Sequence, residues 1–297
     1  MSIRKAVIPA AGFGTRFLPF SKSVPKELIP LVDRPVIQYV LEEAVEAGIE
    51  DILIVLSSEK EAVIRHFNPV PELEKRLAER GKTDVLNEIL ALNRLGRIHY
   101  VYQQQLNGLG DAVLQADAFC GDEPFAVLLG DTVMDSFEER CVTRQLADVF
   151  NKYGSSVVAL EEVAPEKVSS YGIAAGEFCE KDVLAISGMV EKPSPETAPS
   201  RLAFAARYIF TPQIFDELRR TPRGKDNELQ LTDAMCRLLD GAGMYGCRIA
   251  GKRYDLGSKM GFLKGTVEFG LRRSEFKDAF ADFLRETVKK LDEEKSV

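Results

Sequence analysis

The sequence predicts an α/β protein built on a Rossmann-like, doubly wound mixed sheet, with an added β-rich lobe. Three observations predict it. Short apolar runs alternate with amphipathic helical stretches, the first run ends in a glycine turn, and strand-like segments crowd the later half. Residues 5–10 (KAVIPA) form the first apolar strand. Residues 35–48 (PVIQYVLEEAVEAG) follow as an amphipathic helix with proline near its start and glycine at its end. Residues 51–56 (DILIVL) are apolar almost throughout, as a parallel strand covered on both faces should be. Residues 98–103 (IHYVYQ) and 124–129 (PFAVLL) are further strands flanking a helix near 111–119. This alternation puts ligands at the carboxyl ends of the strands.

Residues 69–97 read as two helices broken at Gly81, with Leu73, Leu77, Leu86, Ile89 and Leu90 in apolar stripes that suit core packing, a flap or a subunit contact. After Asp131, segments 156–160, 173–175, 184–191 and 202–210 suggest a second layer of strands. From Arg272 a charged amphipathic helix carries Phe276, Phe280, Phe283 or Leu284, Val288 and Leu291 on one side, to dock on its own subunit or on another. No Ser/Gly/Pro-rich linker divides the chain, so 1–297 is expected to be one body.

Composition excludes several classes. The 297 residues include 39 Lys and Arg against 46 Asp and Glu, a net charge of −7. That balance offers no basic footprint for nucleic acid. No apolar run is long enough to cross a bilayer, and the opening residues read as a strand rather than a signal peptide, so a cytoplasmic protein is expected. The five scattered cysteines lack a CxxC pair and fit a reducing compartment. His66 and His99 are too isolated to suggest a metal site. A polyanionic substrate would need a locally basic cleft, with metal to offset its charge.

The most informative stretch is residues 9–30, PAAGFGTRFLPFSKSVPKELIP. A strand ending in Ala10, Ala11 and Gly12 opens into a loop with Gly14, Thr15 and Arg16. Its glycines let backbone N–H groups approach phosphate, and the Arg16 guanidinium can grip phosphate oxygens. Lys26 adds a compact positive charge, and Glu27 follows it. The spacing after Gly12 and Gly14 fails the GxGxxG dinucleotide fingerprint, whose last glycine is missing, and no Walker GK[ST] follows.

Taken whole, this segment and the PLVDRPVIQYVLEEAVEAGI after it resemble the signature of the sugar-1-phosphate nucleotidylyltransferases, specifically the bacterial UTP–glucose-1-phosphate uridylyltransferases. The resemblance extends over nearly the whole chain. It implies a nucleotidyltransferase fold akin to glycosyltransferase A, with nucleotide bound mainly by 1–135, sugar mainly by 136–265, and a helical tail over 266–297. By that comparison Gln103 in QQQLNGLGDAV reads the uracil edge and Gly108 lies against the base. Asn107 and Asp111 depart from the family, where Lys and His are usual, which puts a basic contribution to triphosphate binding in question. Asp131 in LGDTVMD becomes the leading Mg²⁺ ligand, with Asp255 in RYDLG joining it and Asp135 structural. Leu256 stands where the family more often has Thr.

Tyr171-Gly172 and VEKP resemble the sugar pocket, so Gly172 and Glu191 would meet sugar hydroxyls and Lys192 the sugar phosphate. In ELQLTDAM, Thr232 would cap a helix and Gln230 is a lesser sugar-side candidate. The implied reaction joins UTP and glucose 1-phosphate into UDP-glucose and pyrophosphate, in a homodimer or homotetramer. The same chemistry with dTTP or CTP is the main alternative, and a non-catalytic nucleotide-binding module a further one.

Overall fold

The computed structural model describes residues 3–294. Strand β1 (Lys5–Pro9) leads through the phosphate-type loop to a small hairpin, β2 (Pro30–Leu31) and β3 (Arg34–Pro35). Helix α1 (Val36–Glu46) begins at Pro35 and stops before Gly48, whose φ of 90° only glycine adopts freely. Then come β4 (Asp51–Leu56), α2 (Glu61–Phe67), α3 (Pro71–Glu79), α4 (Thr83–Leu92) and β5 (Arg97–Tyr102). Short helices α5 (Leu109–Leu114) and α6 (Asp117–Cys120) precede β6 (Phe125–Leu128) and β7 (Thr132–Ser136). The later half holds α7 (Val142–Tyr153), β8 (Ser156–Glu162), β9 (Gly172–Glu180), β10 (Val183–Glu191) and β11 (Leu202–Phe210). It closes with α8 (Gln213–Arg220), α9 (Leu231–Ala242), β12 (Met244–Arg248), β13 (Gly251–Asp255), α10 (Lys259–Gly270) and α11 (Lys277–Glu294).

Nine strands form one mixed sheet in the order β5-β4-β1-β6-β11-β8-β12-β10-β9. The first four are mutually parallel, and β11 joins β6 antiparallel. The later strands therefore continue the same sheet instead of making the expected second layer. Strand β11 makes the join: it pairs with β6 on one edge and β8 on the other, and eight of its nine residues are buried, as befits a central strand covered on both faces. Alternation along β1 sends Ala6 and Ile8 to the face covered by α1 and α7, and Val7 to the face covered by α5, α8 and α9. Both faces of DILIVL are covered in the same way.

Between α1, α7 and β11 lies a buried ion pair. Arg207, with no exposed surface, donates to Glu43 Oε2 at 2.6 Å and to the Thr132 carbonyl at 2.9 Å. Glu43 Oε1 accepts from the Thr143 amide and hydroxyl. This network holds the start of β7, and with it the turn carrying Asp131.

The helical hairpin α3–α4 turns at Gly81 (φ 63°) as the break predicts. No α3 residue is buried, so its apolar stripe meets α4 more than the core. The tail helix starts at Lys277 rather than Arg272. Phe280 covers Gly270, while Phe283, Val288 and Leu291 stand exposed.

Candidate active site

Four parallel strands end on one edge of the sheet, and the segments just after them form the site. After β1 come Ala10 and Ala11, both buried, then Gly12. Lys60 follows β4, Gln103 follows β5 and Asp131 follows β6. Pro9, Ala10, Ala11, Gly12, Lys26, Glu27, Gln103, Gly108, Asp131 and Glu228 are among the residues lining one cavity of about 270 Å³ there. Such a crevice beyond the carboxyl ends of the strands is where an open α/β sheet binds its ligand.

The loop is shaped by its own residues. Gly14 adopts a φ of 68°, and a Cβ there would lie 3.0 Å from the Lys26 side chain. Lys26 can therefore cross the loop and reach Asp131 Oδ2 at 2.5 Å. Burial works to lower the Lys26 ammonium, but Asp131 and Glu27 carry it above its ordinary value. For Asp131, burial alone would raise the carboxyl; Lys26, its hydrogen bond and Arg16 hold it below the usual range. Arg16 and Thr15 are exposed, and Arg16 Nη1 reaches the Gly257 carbonyl at 3.5 Å.

Asp131 and Asp255 come together because β13 pairs with β7 in a register setting Asp255 opposite Thr132. The Leu256 amide adds a bond to the Asp131 carbonyl. Gly257 sits between the two carboxylates: a Cβ there would be 2.8 Å from Asp131 Oδ2 and 3.2 Å from Asp255 Oδ1. Two hard oxygen donors over an open cradle fit a divalent cation that keeps waters and takes substrate phosphates as further ligands. Among the described residues no group of three or more His, Cys, Asp or Glu could enclose a metal. The donor set thus suits a shared rather than a caged ion.

Lys60 is a participant that sequence reasoning missed. Its Nζ donates to the carbonyls of Ala10 (2.5 Å) and Gly12 (2.6 Å) and to both Glu27 oxygens (2.8 and 2.9 Å). Burial pushes the Glu27 carboxyl up and the Lys60 ammonium down, and each partner opposes the other's shift. The Glu27 side chain, 1% exposed, is thereby committed to Lys60 and reaches the nucleotide site through the loop. The available signal was topological: the turn after the second parallel strand must lie beside the turn after the first.

Gln103 is buried, and its amide donates to Asp111 Oδ2 at 2.6 Å and to the Gly108 carbonyl at 3.3 Å. Gly108 has a φ of 100°, and any Cβ there would strike Glu228 and Leu229. Asn107 accepts from Arg223 at 2.9 Å, so this position tethers a cation from another segment.

A second cluster adjoins this one. Strands β9 and β10 set Gly172 opposite Glu191, and the Lys192 amide bonds the Tyr171 carbonyl at 3.0 Å. Gly172 leaves room for Phe204 and the Glu191 carboxylate. Lys192 has a φ of 47°, and its ammonium lies 3.1 Å from Glu191. Thr232 does not cap α9: Gln230 holds the N-cap position, and the Thr232 hydroxyl donates to Glu191 Oε2 at 2.6 Å. The Gln230 cap makes no side-chain hydrogen bond to the helix start. The Gln230 amide turns to Glu228. The Arg253 guanidinium lies 4.1 Å from the Tyr171 ring centre, two residues before Asp255, which joins this cluster to the carboxylate pair. Asp135, the fourth residue of β7, pairs with Arg272.

Comparison with known proteins places the chain in a family. The nucleotidyl transferase family matches residues 5–269, and nucleotidyltransferases of this family generally use divalent metal ions. The UTP–glucose-1-phosphate uridylyltransferase YngB of Bacillus subtilis is 47% identical over 97% of this chain and 96% of its own length. A UDP-glucose pyrophosphorylase solved with UDP-glucose is 42% identical, with a TM-score of 0.85 over 91% of this chain and all of that one. A UTP-bound UGPase from Acinetobacter baumannii is 38% identical, with a TM-score of 0.88 over 96% of this chain and 99% of the other. By its matched length, its fold and its relatives, the chain belongs to the nucleotidyl transferase family and, within it, to the UTP–glucose-1-phosphate uridylyltransferases.

Proposed function

We propose that this chain transfers a uridylyl group from UTP to glucose 1-phosphate, releasing pyrophosphate and forming UDP-glucose. One observation carries the reading: groups suited to a base (Gln103, Gly108), to phosphates (Gly12, Lys26) and to a cation (Asp131) line a single cavity. Relatives bearing that activity support the substrate pair.

The sugar phosphate oxygen attacks the α-phosphorus in line, and the bond from that phosphorus to the bridging oxygen of the departing pyrophosphate breaks. The nucleophile is already anionic, so the protein positions it and stabilises charge rather than removing a proton. The backbone of Ala10, Ala11, Gly12, Gly14 and Thr15 cradles the triphosphate. Arg16 and Lys26 neutralise it, and Glu27 keeps the loop in place through Lys60. Gly172 and Glu191 hold the sugar hydroxyls, and Lys192 holds the attacking phosphate. Asp131 and Asp255 hold Mg²⁺, which when bound offsets negative charge on the phosphate oxygens. A homodimer or homotetramer is supported by the exposed apolar residues of α11, and a reducing, cytoplasmic setting by the free cysteines.

Pyrophosphate release with UTP, glucose 1-phosphate and Mg²⁺ tests the reading, beside parallel reactions with dTTP, CTP and galactose 1-phosphate. Fast release with UTP and glucose 1-phosphate alone is expected. Preference for dTTP or CTP keeps the chemistry and corrects the nucleotide. Asp131→Asn should remove most turnover while the chain stays folded; near-normal kcat would sink the metal assignment.

A further inference from the structure

Asp111 touches the base-reading side chain without entering the cavity. The lining includes Gln103, Gly108, Leu109 and Ala112 but not Asp111, whose carboxylate stands behind the Gln103 amide. The two groups facing that amide nitrogen, Asp111 Oδ2 at 2.6 Å and the Gly108 carbonyl at 3.3 Å, are acceptors only. Turning the amide over would set its oxygen against both of them. Each of its two N–H bonds therefore has a partner within the protein, and the Gln103 backbone amide is tied to the Leu56 carbonyl. What remains for a ligand is Oε1, an acceptor.

We propose that Asp111 is a positioning residue that locks Gln103 with its oxygen toward the base and so selects a ring nitrogen that carries a proton. Uracil presents such an N3–H between two carbonyls, whereas cytosine presents a bare nitrogen lone pair there. An acceptor facing a lone pair leaves a buried polar group unsatisfied, and that mismatch discriminates strongly. Thymine carries the same N3–H, so the lock is silent on UTP against dTTP.

The inference rests on the uridylyl-transfer reading, and its test separates the two. For the whole chain, kcat/KM with glucose 1-phosphate is measured for UTP and CTP in the unsubstituted protein, Asp111→Ala and Asp111→Asn. Unfolding midpoints are recorded beside them. The unsubstituted protein should favour UTP by at least about a hundredfold. Asp111→Ala frees the amide to rotate, and the ratio should fall by roughly tenfold or more, chiefly through KM. Asp111→Asn can still present a carbonyl oxygen to Gln103 and should keep the ratio within about threefold.

General structural damage would lower both nucleotides together and leave the ratio alone. No turnover of UTP by the unsubstituted protein overturns the uridylyl-transfer reading. Fast turnover of UTP with CTP within threefold of it overturns the lock, whatever the variants do. An unchanged ratio in folded Asp111→Ala, or an equal collapse in Asp111→Asn, overturns it too.

Discussion

Lys60→Met removes the ammonium that closes the phosphate loop, and the geometry sets how much should be lost. Lys60 and Glu27 have side-chain exposures of 6% and 1%, so the substitution strands a carboxylate where water barely reaches. Removing one partner of a buried pair costs about 3–5 kcal/mol. The Ala10 carbonyl also loses its short bond from Nζ, worth about 1 kcal/mol. The two losses overlap, because water entering for one serves the other, so about 4 kcal/mol is expected in all. Adding Glu27→Leu removes the stranded charge, and the double variant should lie only about 1–2 kcal/mol below the unsubstituted protein. Urea unfolding at neutral pH reads both numbers, and the melting temperature of the single variant should drop by roughly 6–15 °C. The triphosphate loop should loosen as well, raising KM for UTP. A single variant costing under about 1 kcal/mol, or a double variant no more stable than the single one, would refute the claim that this pair holds the loop.

Three further outcomes follow from the same coordinates. Gly257→Ala places a methyl 2.8 Å from Asp131 Oδ2, and should lower kcat by about a hundredfold with little change in the unfolding midpoint. Normal kcat at saturating Mg²⁺ would show that the cradle is not where a cation binds. Thr232→Val removes the hydroxyl donor to Glu191, so KM for glucose 1-phosphate should rise by roughly tenfold with KM for UTP unchanged, read from initial rates. Asp51 is held down to about 2 from 3.8, chiefly by hydrogen bonds from Arg97 with His99 adding. Its folded value lies below the unfolded one, so its stabilisation is present above about pH 4 and is lost as pH falls toward 2. Arg97 is exposed, which limits the effect to about 1 kcal/mol, and Asp51→Asn should flatten the urea midpoint over that window alone.

The nucleotide half was largely legible because its signals are local. A continuous apolar run such as DILIVL has one sensible place, inside a parallel sheet, and Pro35 and Gly48 bracket α1 by their own backbone preferences. The two-stranded sheet of β7 and β13 was not legible. TVMDS and GKRYD mix polar and apolar residues, and their pairing spans more than a hundred positions. That pairing is what brings Asp131 to Asp255, so resemblance named both residues while neither segment alone indicated their contact. Helix α7 was hidden among strands, although its buried Val142, Leu146, Val149 and Phe150 keep helical spacing. Thr232 shows the opposite error: a residue type that favours caps was spent on a tertiary bond to Glu191.

Gln103, proposed above to read the base, shows most plainly where local reading stops. In the sequence, Gln103 is a glutamine, with a donor and an acceptor equally available. Which of them a ligand meets depends on what stands behind the amide. The carbonyl of a glycine five residues on and a carboxylate eight residues on supply only acceptors there, so the donors turn inward. Residue type thus sets the atoms on offer, and the fold chooses among them. The departure at Asp111 then has a consequence separate from triphosphate charge. It sets an acceptor behind the glutamine amide, and so fixes the polarity of the group that meets the base. A side chain without an acceptor at that position would leave the amide free to turn, so the same glutamine could present a different atom to the base.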